Sequence, residues 1–155
     1  MAEDGSDKIE YGAVLPVDPD RAFGFVSDPT SWPRFFASMR SAEAGPDWGR
    51  VGGHGRMVTS FLGRDVVSEF ELTTWDPPRE FRYVARQRGR PDLDNRRIFL
   101  ATEGGTRLAG TTQLRPRPGL AGLTDRISLR ALQGIYGKAM LRLPEMVRQA
   151  TAPPR

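Results

Sequence analysis

Apolar and polar positions alternate from Ile9 to Val17, with Ile9, Tyr11, Ala13 and Leu15 set against Glu10 and Gly12. This period of two predicts a half-buried first strand. Asp18 and Pro19 then fit a helix start, because an aspartate can cap free N–H groups and proline at the first position has no N–H to leave unpaired. Ala22, Phe23, Phe25 and Val26 give that short helix an apolar side, and the residue before Pro29 is pushed out of helical geometry, which ends it near Asp28. The next nine residues, "DPTSWPRFF", hold two prolines and three aromatic residues, and allow only a second short helical piece.

Strand patterns separated by turn chemistry follow. "ASMRSAEAG" is a weak strand; "GRMVTSFLG" and "RDVVSEFELTTW" flank a tight turn at Gly63; "EFRYVARQ" follows the "DPP" break; "RRIFLATE" and "TRLAGTTQL" join through Gly104 and Gly105. With no helix among the last six strands, the sheet must be antiparallel, since parallel neighbours need long crossovers. A helical stretch from about Leu120 to Ala150 closes the chain. One side carries Leu123, Ile127, Ala131, Ile135 and Leu141, and another Leu129, Leu132, Tyr136, Ala139 and Leu143, a broad arc that suits a helix covered on more than one side. Pro144 should kink or restart it, and Gly134 and Gly137 allow something to approach closely.

The fold class is therefore α+β: a curved antiparallel sheet of about seven strands wrapped around a long C-terminal helix, with two short helices after the first strand. A sheet half closed around one helix leaves a gap where it curves away, and this gap is the expected cavity. Trp32, Phe35 and Phe36 of the proline-stiffened segment should roof it, either as a ligand-facing surface or as a plug for the end of the core.

The order of these elements resembles the START-like (SRPBCC) superfamily with its helix-grip fold, and within it the polyketide cyclase/dehydrase-like branch. The similar stretches are "VDPDRAFGFVSDPTSWPRFFASM", "ELTTWDPPREFRY", "EGGTRL" and the terminal helix, over about residues 9 to 150. The resemblance implies an internal cavity for a hydrophobic small molecule, polyketide-like or polycyclic, with cyclisation or dehydration performed without metal or cofactor. A non-catalytic carrier or sensor of a lipid or other hydrophobic ligand is the alternative. In the aromatase/cyclases of this branch the pocket holds a tryptophan, a nearby tyrosine and a polar or arginine residue on the strand leading into the proline turn. Trp32 matches the first, while the other two positions fall near Met39 and Thr73, so that catalytic set does not carry over.

Composition narrows the chemistry. In 155 residues, 38% hydrophobic and 27% charged, we expect one domain over 9–150 with disordered tails at 1–8 and 151–155. The polar N-terminus predicts a cytoplasmic protein without a secretory signal, and no apolar run is long enough for membrane insertion. Zero cysteines exclude disulfides and thiolate chemistry, and a single histidine without paired carboxylates gives no expected metal site. The charge of +4 is nearly all arginine. Arg79, Arg82, Arg86, Arg88, Arg90, Arg96 and Arg97 form a strip read as the solvated outer faces of two strands; as a nucleic-acid surface it would bind in a strongly salt-dependent way, and none is expected. A monomer or homodimer is expected.

Candidate acid–base groups are His54, if its glycine-rich loop folds over the pocket, and the hydroxyls of Tyr83 and Tyr136. Candidate cavity walls are Trp32, Phe35, Phe36, Met57, Phe61, Phe70, Leu72, Phe81, Ile127 and Ile135. Glu69 and Glu71 fall on the opposite face of their strand from Phe70 and Leu72, toward solvent.

Overall fold

A computed structural model describes residues 7–152. Its elements are β1 (Asp7–Leu15), α1 (Pro19–Val26), a 3-10 turn (Pro29–Ser31), α2 (Trp32–Phe35), β2 (Met39–Ala44), β3 (His54–Phe61), β4 (Arg64–Asp76), β5 (Glu80–Arg86), β6 (Leu93–Thr102), β7 (Gly105–Leu114) and α3 (Leu120–Thr151). The seven strands form one open sheet in the order β1-β7-β6-β5-β4-β3-β2, every neighbouring pair antiparallel. Register shifts in β2, between Met39 and Ser41, and in β4, between Leu72 and Thr74, mark bulges of the kind that bend strands. This is the helix-grip arrangement, with α3 laid across one face of the sheet.

Local chemistry accounts for the boundaries. Asp18 caps α1 by accepting from the Arg21 amide at 3.0 Å, and Asp28 caps the following turn by accepting from the Thr30 amide at 3.0 Å. Leu62 and Gly63, at φ of 52° and 79°, make the two-residue turn between β3 and β4 that matches strand twist. At the β6–β7 hairpin the turn residues are Glu103 and Gly104, one position earlier than the Gly104–Gly105 pair, because Gly105 already pairs with Thr102.

The core lies between α3, the short helices and one face of the sheet. Along β5 the alternation is regular, with Phe81, Tyr83 and Ala85 buried between less buried neighbours. Phe70 and Leu72 of β4, Phe99 of β6 and Leu108 of β7 continue that layer, and α3 contributes Leu129, Ala139, Met140, Leu143 and Val147.

The long helix departs from expectation in three ways. Its arc is not covered on both sides: Leu123, Ile127 and Leu141 are exposed, because the sheet covers only one face. Pro144 sits inside a continuous helix without restarting it. Gly134 and Gly137 border open space rather than a close neighbour. At the ends, Asp7 and Lys8 pair with Leu114 and Gln113 in the sheet instead of belonging to a tail, and Thr151 closes α3 with its hydroxyl bonded to the Val147 carbonyl at 2.8 Å. The remaining parts of the two expected tails, 1–6 and 153–155, lie outside the described residues.

Candidate functional site

A partly open cavity of about 190 Å³ lies between α3 and the strands from β3 to β5. The pleat of β3 turns Met57, Thr59 and Phe61 to its interior, and successive turns of α3 supply Leu132, Ile135 and Tyr136. Phe36 and Tyr83 complete the apolar part of the wall.

The other end is polar and tied together by one ion pair. Asp125, 4% exposed, accepts from the Arg117 amide at 2.8 Å, from Nε at 3.0 Å and from Nη2 at 2.8 Å. Arg117 Nη1 in turn donates to the Gly89 carbonyl at 2.7 Å. Two side chains thus join the β5–β6 loop, the linker after β7 and the start of α3. A Cβ at Gly122 would collide with the Arg117 carbonyl, so glycine is what lets the linker lie this close to the helix. The hydrogen bonds from Arg117 hold the Asp125 carboxyl below the usual carboxylate range.

Behind Tyr83 and Tyr136 lies a buried polar cluster. Arg97 of β6, 2% exposed, donates through Nη1 to the Tyr83 hydroxyl at 3.1 Å. Its guanidinium carbon lies over the rings of Tyr83, Tyr11 and Phe81 at 5.3, 5.7 and 5.8 Å. Asn95 Oδ1 accepts from Thr112 at 2.7 Å and from Tyr136 at 3.5 Å, while the Tyr11 and Thr112 hydroxyls share a hydrogen bond of 3.0 Å. Tyr11 fits because its β7 partner is Gly110, where any Cβ would strike the ring. Burial works against the Arg97 charge and the bond to Tyr83 favours it, and the guanidinium stays protonated, above the usual arginine range. Burial pushes the Tyr83 and Tyr136 phenols up, with Arg97 pulling Tyr83 the other way. Both phenols are therefore protonated donors at neutral pH.

Arg97 is the residue that sequence reasoning missed. Read with its neighbours as an outward strip, it instead points inward: β6 begins at Leu93, and Leu93, Asn95, Arg97 and Phe99 share one buried face by the two-residue repeat. Extending the alternation back from Phe99 would have found it. Other members of the strip do face outward and carry carboxylate partners: Arg79 with Asp76 at 2.7 Å, Arg82 with Asp94 at 2.5 Å, Arg86 with Glu71 at 3.5 Å and Arg96 with Glu80 at 2.6 Å.

Of the residues singled out from sequence, the cavity brings together Phe36, Met57, Phe61, Tyr83, Ile135 and Tyr136. Trp32, Phe35, Phe70, Leu72 and Phe81 are buried in the core beside it without lining it. The "DPTSWPRFF" segment is thus mainly a plug for the core, with Phe36 alone of its three aromatics reaching the cavity. Ile127 is 61% exposed on the outer side of α3. His54 stands at the exposed start of β3, apart from the cavity, its Nδ1 3.5 Å from Asp47 and its Nε2 3.2 Å from Glu71. Among the described residues, no group of three or more histidine, aspartate or glutamate side chains is placed to hold a metal, and no helix is long and apolar enough to cross a membrane.

Comparison with known proteins agrees with this geometry. The family model described as "Polyketide cyclase / dehydrase and lipid transport" matches residues 6–148. Among solved structures, TTHA0849 from Thermus thermophilus superposes with a TM-score of 0.76 at 20% identity, over 94% of this chain and 100% of that one. The di-domain ARO/CYC StfQ from the steffimycin biosynthetic pathway gives 0.75 at 16% identity, over 95% of this chain and 52% of that one. The Zhui aromatase/cyclase from a Streptomyces species gives 0.72 at 15% identity, over 95% and 97%. At these identities the likeness shows the fold. No curated protein sequence matches.

Proposed function

The chain belongs to the polyketide cyclase / dehydrase and lipid transport family, whose fold binds hydrophobic ligands, and from this we propose that its cavity takes a polyketide-like molecule and promotes its cyclisation or dehydration. One observation carries the choice over a passive carrier: two protonated phenols, Tyr83 and Tyr136, stand in the cavity wall, each bonded to the buried polar cluster behind it. A carrier needs only apolar area, whereas fixed hydroxyl donors cost burial and serve an oxygen atom on the ligand.

Catalysis here is a matter of geometry. The wall selects one folded conformer of a flexible ligand, bringing its reacting carbons together. A phenol donates to the carbonyl oxygen on which negative charge grows as a neighbouring C–H gives its proton to water at the open end of the cavity. Size limits the ligand. An apolar cavity of about 150 Å³ accommodates benzene, so about 190 Å³ suits one or two fused rings, or one folded end of a longer chain, better than a larger polycycle.

The test has two arms. Native mass spectrometry of freshly purified protein should show a retained hydrophobic molecule. A synthetic linear tetraketide thioester should then yield aromatic product faster with the wild type than with a Tyr83→Phe, Tyr136→Phe double variant. Retention with equal rates would assign a carrier.

A further inference from the structure

Arg97 is a buried cation that, among the described residues, no carboxylate balances. Among the described residues, its Nη2 is one of two buried side-chain polar atoms without a hydrogen-bond partner, the other being Ser68 Oγ. Among the described residues its one bonded partner is the oxygen of Tyr83, a residue of the cavity wall. The titratable groups facing it are Tyr11 from β1, Tyr83 from β5 and Tyr136 from α3, all phenols. Ring faces stabilise a guanidinium, but they leave its full charge uncompensated. A fixed buried charge without a counter-ion is costly and favours whatever anion can come within reach.

We propose that Arg97 and Tyr83 form an oxyanion site behind the cavity wall, which selects ligands bearing an acidic hydroxyl, a phenol or an enol, and holds that oxygen as the anion. This rests on the cavity being a ligand site. Arg97 Nη1 donates to Tyr83, whose oxygen keeps its own proton and donates it as a hydrogen bond to the ligand oxygen. The proton lost from the ligand hydroxyl goes to solvent as the ligand binds. Arg97 acts as a positioning residue: it touches no ligand atom, fixes the direction of the Tyr83 hydroxyl and places a positive charge behind it. The family's polar or arginine position on the strand before the proline turn falls near Thr73, so this site uses a different position in the sheet. In this structure Thr73 is exposed on β4 and bonds the Arg82 carbonyl at 3.3 Å.

The experiment uses two probes of equal shape, naphthalene and 2-naphthol, with the purified full chain. Wild type should bind 2-naphthol at least about tenfold more tightly than naphthalene at neutral pH, a difference of about 1.4 kcal/mol. The absorbance of bound 2-naphthol should show it ionising about one pH unit or more below the free molecule. Arg97→Met should abolish both the preference and the shift while retaining naphthalene, and Arg97→Lys should restore part of the shift. Should Arg97→Met fail to fold, the wild-type titration decides alone. Naphthalene binding with 2-naphthol ionising no earlier than in water overturns the oxyanion site and leaves the cavity reading intact; binding of neither probe overturns both.

Discussion

Trp32 lies stacked on Tyr83, ring centroids 5.1 Å apart and planes 23° from parallel, while its Nε1 donates to the Val26 carbonyl at 2.7 Å. The tryptophan thereby fixes a wall residue without being wall itself. At 1% exposure it is part of the core. Trp32→Ala should lower unfolding free energy by about 3–5 kcal/mol, measured by urea denaturation. A loss of under about 1 kcal/mol would mean that the segment is loosely held.

Thr59 borders the lumen on the same face of β3 as Met57 and Phe61. Thr59→Trp should fill the space, weakening naphthalene binding more than about tenfold while changing stability by about 1 kcal/mol or less. Equal affinity in calorimetric titration would place the ligand elsewhere.

The Arg117–Asp125 pair makes a pH prediction. A carboxyl held below its unfolded value contributes stability above that value, near 3.9, and loses it as pH falls through the lower folded value. Asp125→Asn should therefore unfold at lower urea than wild type at pH 7, and the gap should close in acid as the wild-type carboxyl takes up a proton. A gap that stays constant down to pH 2 would show that the charge of Asp125 contributes nothing.

His54 is exposed between Asp47 and Glu71 and away from the cavity. His54→Ala should leave naphthalene affinity and tetraketide turnover at wild-type levels and change stability by no more than about 0.5 kcal/mol. A large drop in turnover would reinstate it as an acid–base group.

What could be read from the chain follows from how local the deciding physics is. Alternation at Ile9–Leu15 and around Phe81, the aspartate before Pro19 and the glycines at 63 and 104 act within a few residues, and they set strands, caps and turns. Arg97 was misread because a charged side chain on a strand reads as outward, although its spacing of two from Phe99 places it on the buried face. Ile127 was misread for the opposite reason: an apolar helix position looks buried, yet coverage depends on how far the sheet reaches around α3. The hollow itself is a shortfall of packing shared among many side chains, so no single residue announces it. Its polar end, by contrast, rests on Arg117 and Asp125, whose pairing joins a linker to a helix and is invisible to periodicity.

β1 is paired with β7, and α3 packs across it, with Gln133 donating to the Glu10 carbonyl at 3.0 Å and Arg126 bonded to Asp7 at 3.0 Å. Within this domain β1 therefore waits for β7 and α3 before it finds its permanent neighbours. Such long-range closure is slow and comes late. A chain cut before α3 would lack one whole side of the chamber, so occupancy by a guest molecule would report that the domain had closed.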